Sequence, residues 1–189
     1  MKKTAVLLYH QFCNFEIAPA LEMLAMAGKP VTFFAKSLSP VQSEDGLRVL
    51  PDKTLEELKL ADYDSLLLPG AMDIREAVED DAVLDFIRQF EGMPIGAISI
   101  APILLLKAGM LEGKPFMAGV NPEELAEEGY SQEQLAQMHG WDANIQNPIP
   151  EGYLQAGDIV TSVSYQFIRW TLAFGKLLGI DLPPKTFGL

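Results

Sequence analysis

A chain of 189 residues with a net charge of −12 is long enough for one full core and lacks the basic surplus that holds nucleic acid or an anionic membrane surface. Nearly half of its residues (49%) are hydrophobic and 21% are charged, a globular balance that excludes a disordered or fibrous chain. A single cysteine, Cys13, excludes a disulfide framework or a thiolate metal site built within one chain.

Residues 4–9 (TAVLLY) are a near-continuous apolar run, as expected of a strand buried on both faces. After a loop over 10–15, residues 16–27 (EIAPALEMLAMA) place Ile17, Leu21, Leu24 and Ala27 on one helical face, and Gly28 stops the helix. Residues 30–35 (PVTFFA) read as a second strand, completing a strand–helix–strand unit of about the size a right-handed parallel crossover needs. Asp45 and Gly46 mark a turn, residues 47–50 a short strand and residues 54–58 a small helix. Residues 65–68 (SLLL) form another buried strand, closed by Pro69, Gly70 and Ala71. Residues 80–90 form a helix with Val83, Phe86, Ile87 and Phe90 on one face.

Residues 94–109 (PIGAISIAPILLLKAG) hold the centre of the chain. A β-biased strand over 95–98 turns at once into a helix over 101–108, with Pro102 just inside its start, where a missing N–H costs nothing. Such a turn exposes its residue at the strand end and aims the helix N-terminus at it. Ser99 is therefore either the residue of a nucleophile elbow or simply the cap of the helix.

The later part differs. Between Pro115 and Ile168 there is no Lys or Arg, and five glutamates fall between Pro122 and His139, so residues 115–152 read as an acidic, turn-rich excursion within a single domain spanning 1–189. Residues 159–163 (IVTSV) are the last strand and 165–178 the last helix, stopped by Gly179. Strands alternating with helices predict an α/β sandwich with a mostly parallel sheet, where ligands bind at the C-terminal strand ends. Glu16, Gly70 and Ser99 each follow a predicted strand and are expected to converge there. The longest near-apolar stretch, 94–106, is short of a membrane span, and the run after Lys2 and Lys3 is too short for a signal-peptide core, so a cytoplasmic location is expected.

The candidate chemistry is sparse. His10 and His139 stand far apart with no ligand motif nearby, and no metal or cofactor is expected. Glu16 serves either the helix dipole or the pocket, where partial desolvation raises its pKa. Cys13 shares its loop, and an ionised Glu16 opposes thiolate formation there.

Jointly, TAVLLY with FEIAP, LPGA at 68–71, AISIAP at 97–102, LLLKAGMLEGK and DIVTSVS resemble, nearly end to end, the ThiJ/PfpI (DJ-1-like) superfamily related to class I glutamine amidotransferases. The resemblance implies a flavodoxin-like three-layer α/β sandwich, commonly homodimeric. It also implies a glutamate after the first strand (Glu16), oxyanion-hole amides at a glycine pair (Gly70 and Ala71), and a cysteine at the elbow, where this chain has Ser99. Ile100 stands where peptidase-like members carry histidine, Asn121 with Pro122 stands where another branch has a histidine–proline pair, and Ala101 replaces the elbow glycine.

A serine without a base is a poor nucleophile. The first expectation is thus a family member lacking the cysteine nucleophile that binds a small molecule at Glu16, Gly70, Ala71, Ser99 and Ile100, or serves as a stress-related accessory protein. The alternative is a hydrolase or hydratase acting on a small carbonyl or nitrile-like substrate, with Ser99 as nucleophile or polar contact and Glu16 as acid/base. A third is a purely structural dimer module. A homodimer without nucleic-acid or membrane partners is expected throughout.

Overall fold

The computed structural model describes residues 1–189. Strand β1 (Lys3–Leu7) is buried from Thr4 onward because it lies inside a seven-stranded sheet. Ala5 and Leu7 point into one core and Val6 and Leu8 into the other, as strand alternation requires. Helix α1 (Asn14–Met26) and strand β2 (Val31–Ala35) follow, then three two-residue strands, β3 (Val41–Gln42), β4 (Arg48–Val49) and β5 (Lys53–Thr54), and the six-residue β6 (Tyr63–Leu68). Next come α2 (Arg75–Val78), α3 (Asp81–Arg88), β7 (Ile95–Ile98) and α4 (Pro102–Lys107). The remainder comprises β8 (Phe116–Met117), α5 (Pro122–Glu127), α6 (Gln132–Leu135), β9 (Met138–His139), α7 (Trp141–Gln146), β10 (Leu154–Ala156), β11 (Ile159–Ser162) and α8 (Phe167–Leu177).

The main sheet runs β10-β11-β7-β6-β1-β2-β5 and is parallel except for the β10–β11 edge pair. Residues of α1 and α8 build the core on one face, and those of α2, α3 and α4 build the core on the other. The expected α/β sandwich with a mostly parallel sheet is therefore present. Inside it, Thr4 Oγ1 and Ser65 Oγ meet at 2.8 Å across β1 and β6, so two buried hydroxyls satisfy each other.

Several local expectations change. Thr54 joins the sheet edge through β5 instead of opening a helix over 54–58, and only a 3₁₀ turn, Leu55–Glu57, follows; the Glu57 carboxylate accepts from the Thr54 N–H at 2.8 Å. The strand expected over 47–50 shrinks to β4, which pairs with β3 outside the main sheet. Helix α1 begins at Asn14, two residues early, and puts Glu16 in its first turn. The segment 115–152 is partly strand, since β8 and β9 pair in parallel, but its six glutamates are all exposed.

Candidate functional site

The site forms where β1, β6 and β7 end side by side. The loop after β1 is fixed by backbone bonds on both sides. Gln11, held at φ 59°, donates its N–H to Gln42 O at 2.8 Å, and the Cys13 N–H donates to Gly70 O at 2.8 Å. This places the β3–β4 hairpin and the loop after β6 against the start of α1. Glu16, 1% exposed, then turns its carboxylate inward, where Oε2 accepts from the Gly70 N–H at 2.8 Å.

Ser99 closes the site from the β7 side. Its φ of 61° is a left-handed conformation that costs a non-glycine residue of order 1 kcal/mol, the strain of a nucleophile-elbow turn. Neighbours hold it in place: the Ser99 N–H donates to Ser162 O at 2.8 Å, and Ser99 O accepts from the Gly119 N–H at 2.7 Å. Glycine is required at position 70 by proximity. A Cβ there would lie 2.4 Å from Glu16 Oε2, 2.6 Å from Ser99 Cβ and 2.9 Å from Ser99 Oγ. The three residues expected to converge do so.

The electrostatics are one-sided. Burial pushes Glu16 up to about 7; the Gly70 amide and the Ser99 hydroxyl draw it down, and nearby Glu44 raises it further. No cation contributes. Burial, followed by the charges of Glu16 and Cys13, raises the Tyr9 phenol well above its usual value, and the phenol donates its proton to Pro69 O. Burial likewise drives the Cys13 thiol strongly upward, aided by Glu16, Glu44 and Asp45, so this buried thiol beside the site resists ionisation.

Gly70 differs from its expected role. Its N–H is engaged by Glu16, whereas the N–H groups of Ala71 and Ile100 make no backbone hydrogen bond. These two amides, next in sequence to Gly70 and Ser99, are left without a backbone hydrogen-bond partner. Ser99 and Ile100 are half-buried, and Ile100 packs towards the α2–α4 core. Asn121 is committed elsewhere: its Nδ2 donates to Asp142 Oδ2 at 3.1 Å and its Oδ1 accepts from the Asp142 N–H at 2.9 Å. His139 sits in β9 with Nε2 buried and unpartnered. Sequence reasoning missed Tyr9, Glu44 and Gly119. Only the position of Tyr9 at the end of an apolar run could have signalled one of them. No three His, Cys, Asp or Glu side chains are grouped to hold a metal ion, and no helix is long and apolar enough to cross a membrane.

A mostly parallel seven-stranded sheet packed by helices on both faces, with a buried carboxylate at its C-terminal strand ends, makes this an α/β sandwich protein. The chain belongs to the DJ-1/PfpI family, whose model matches residues 2–174. It is 31% identical over 121 residues to protein/nucleic acid deglycase 2 of Escherichia coli strain K12, covering 62% of this chain and 70% of that protein. Similarity to the isonitrile hydratase of Pseudomonas putida is 29% over 111 residues, 57% of this chain and 48% of that one. The fold matches a DJ-1 superfamily protein from Agrobacterium tumefaciens with a TM-score of 0.81 at 20% identity, covering 99% of this chain and 95% of that one.

Proposed function

We propose that this protein is a small-molecule enzyme of the hydratase or hydrolase type, in which Glu16 moves the proton and Ser99 holds the polar head of a carbonyl or nitrile-like substrate. The observation that carries the proposal is Glu16: a carboxyl group 1% exposed, pushed up to about 7, beside the elbow serine. Near neutral pH such a group both accepts and returns a proton. As water attacks the electrophilic carbon, a C–O bond forms and the water O–H proton passes to Glu16. Glu16 then delivers it to the substrate heteroatom, which has taken up the electron pair of the broken π bond. The free N–H groups of Ala71 and Ile100 suit a developing negative charge at that heteroatom.

Ser99 stands where the family resemblance puts a cysteine, and neither Ile100 nor Asn121 supplies a histidine. Serine as the attacking atom would have only Glu16 as its base. Attack by water with serine as a hydrogen-bond partner asks less of the site. The name of the isonitrile hydratase relative points to addition of water at a carbon–nitrogen multiple bond.

The test is a pH–rate profile on small aldehydes and nitriles with wild type, Glu16→Gln and Ser99→Ala. We expect turnover rising through about pH 7, lost in Glu16→Gln and reduced in Ser99→Ala. Turnover insensitive to both substitutions overturns the assignment. Ligand binding that requires Ser99 but is never followed by turnover would favour a second reading, a pure binding protein, which the missing histidine base supports.

A further inference from the structure

Three separate segments line the Ser99 site, and each carries on past it into one cavity. Gly70 packs on Ser99 and Met72 follows; Ser99 is followed by Ile100; Gly119 bonds Ser99 O and is followed by Val120. Met72, Ile100 and Val120 all line a cavity of about 650 Å³ between α2, α4 and α5, together with Ile74, Ile103 and Leu125. The volume lies inside the range of roughly 300–1,000 Å³ that buries drug-sized ligands, more room than a two- or three-carbon substrate fills. The cavity therefore adjoins the elbow along three of the segments around it, and the residues that lead from the elbow into it, Met72, Ile100 and Val120, are apolar.

Charge gathers at other parts of the wall. Arg75 is held by Asp73, and Lys107 lies 3.5 Å from Glu79 and 5.8 Å from the centre of the Tyr130 ring. Glu128 has no ion-pair partner, and the Tyr130 hydroxyl is pushed up to about 12 by burial, by Glu128 and by Glu79. A chain ending in a carboxylate meets excess negative charge, which does not repel an uncharged chain.

We infer that this cavity is the tail subsite of the Ser99 site, and that the substrate is a neutral molecule carrying an aliphatic or aryl chain of several carbons on its polar head. The inference rests on the reading of Glu16 and Ser99 given above and adds the identity of the rest of the substrate. Ile100 is then a specificity residue as well as an amide donor. Filling the position with a larger side chain shortens the accepted tail.

Unreactive straight-chain amides, acetamide to octanamide, test this by calorimetric titration of wild type, Ser99→Ala, Val120→Phe and Met72→Asp. Val120 is half-buried and Met72 is 71% exposed, so neither substitution disturbs the closed core. We expect affinity to rise about fourfold per methylene in wild type until the cavity is spanned. That slope flattens in Val120→Phe and weakens in Met72→Asp, and Ser99→Ala weakens the whole series. Adipamic acid, with its anionic far end, binds at least tenfold more weakly than hexanamide. A slope that Ser99→Ala leaves at full affinity overturns the inference, because the cavity then binds chains independently of the elbow. Short amides that need Ser99 but show no gain with length also overturn it, while leaving the assignment of Glu16 and Ser99 in place.

Discussion

Two buried ionisable groups stand at opposite ends of the same sheet, and the chain treats them differently. At the N-terminal strand ends, Lys29 directs its ammonium to both oxygens of Asp64, at 2.7 and 2.9 Å, and to Lys2 O at 3.0 Å. All three donors are used and the charge is neutralised. At the C-terminal ends, Glu16 receives one backbone N–H and the Ser99 hydroxyl but no cation, and burial dominates its chemistry. The paired group contributes to the fold. The unpaired one is held there against its solvation preference, which fits the proton-moving role proposed for it.

The largest expected effect comes from relieving that cost. Glu16 binds its proton more tightly folded than unfolded, so between about pH 4.5 and 7 the native state holds a proton that the unfolded state has released. Stability therefore falls as pH rises through that window and is fully lowered above it. The displacement from 4.5 to about 7 corresponds to about 3 kcal/mol. Glu16→Gln keeps the acceptor for Gly70 and removes the titration. Urea unfolding at pH 5 and pH 8 should show the variant more stable than wild type by about 3 kcal/mol at pH 8 and by about 1 kcal/mol at pH 5. Parallel pH dependence in the two proteins would break the contrast between the sheet ends.

Gly70→Ala sharpens it from the packing side. Its methyl group would sit 2.4 Å from Glu16 Oε2 and 2.6 Å from Ser99 Cβ, contacts that force the carboxyl or the elbow to move. We expect a loss of about 2 kcal/mol from overpacking, with the pH-dependent contribution of Glu16 altered in the same variant. At the other end, Lys29→Ala leaves Asp64 without its cation. Since the Asp64 side chain is 40% exposed, water takes over part of the role, and the cost is about 1.5 kcal/mol, below that of breaking a fully buried pair. The six residues of β6 span about 20 Å between the two sites, so Lys29→Ala combined with Glu16→Gln should be additive within about 0.5 kcal/mol.

What the sequence disclosed follows the same division. The buried strands β1, β6 and β7 were legible because burial on both faces leaves an unbroken apolar run, and the elbow was legible because Ser99 falls between such a run and a proline-started helix. Convergence of Glu16, Gly70 and Ser99 followed from where parallel strands end. Contacts made by long-range pairing left no local trace. Nothing in the sequence around Glu44 announces that the β3–β4 hairpin brings it to Glu16, nor does Gly119 advertise its bond to Ser99. The edge strand β10 and the four-residue α2 are too short for any period to register.

Asn121 separates resemblance from geometry at the smallest energetic scale. Its position invites a catalytic reading, since another family branch has histidine there, yet both ends of its side-chain amide are spent on Asp142, and its backbone N–H donates to Glu124 Oε1 at 3.2 Å. It fastens the start of α5 to the start of α7. Asn121→Ala removes two hydrogen bonds at a half-buried position, where water replaces part of each, and should cost about 1 kcal/mol. Because no contact joins its side chain to Glu16, the stability difference between pH 5 and pH 8 should remain that of wild type. A variant that loses this difference would tie Asn121 to the carboxylate, and the site would then extend across the acidic segment instead of ending at Gly119.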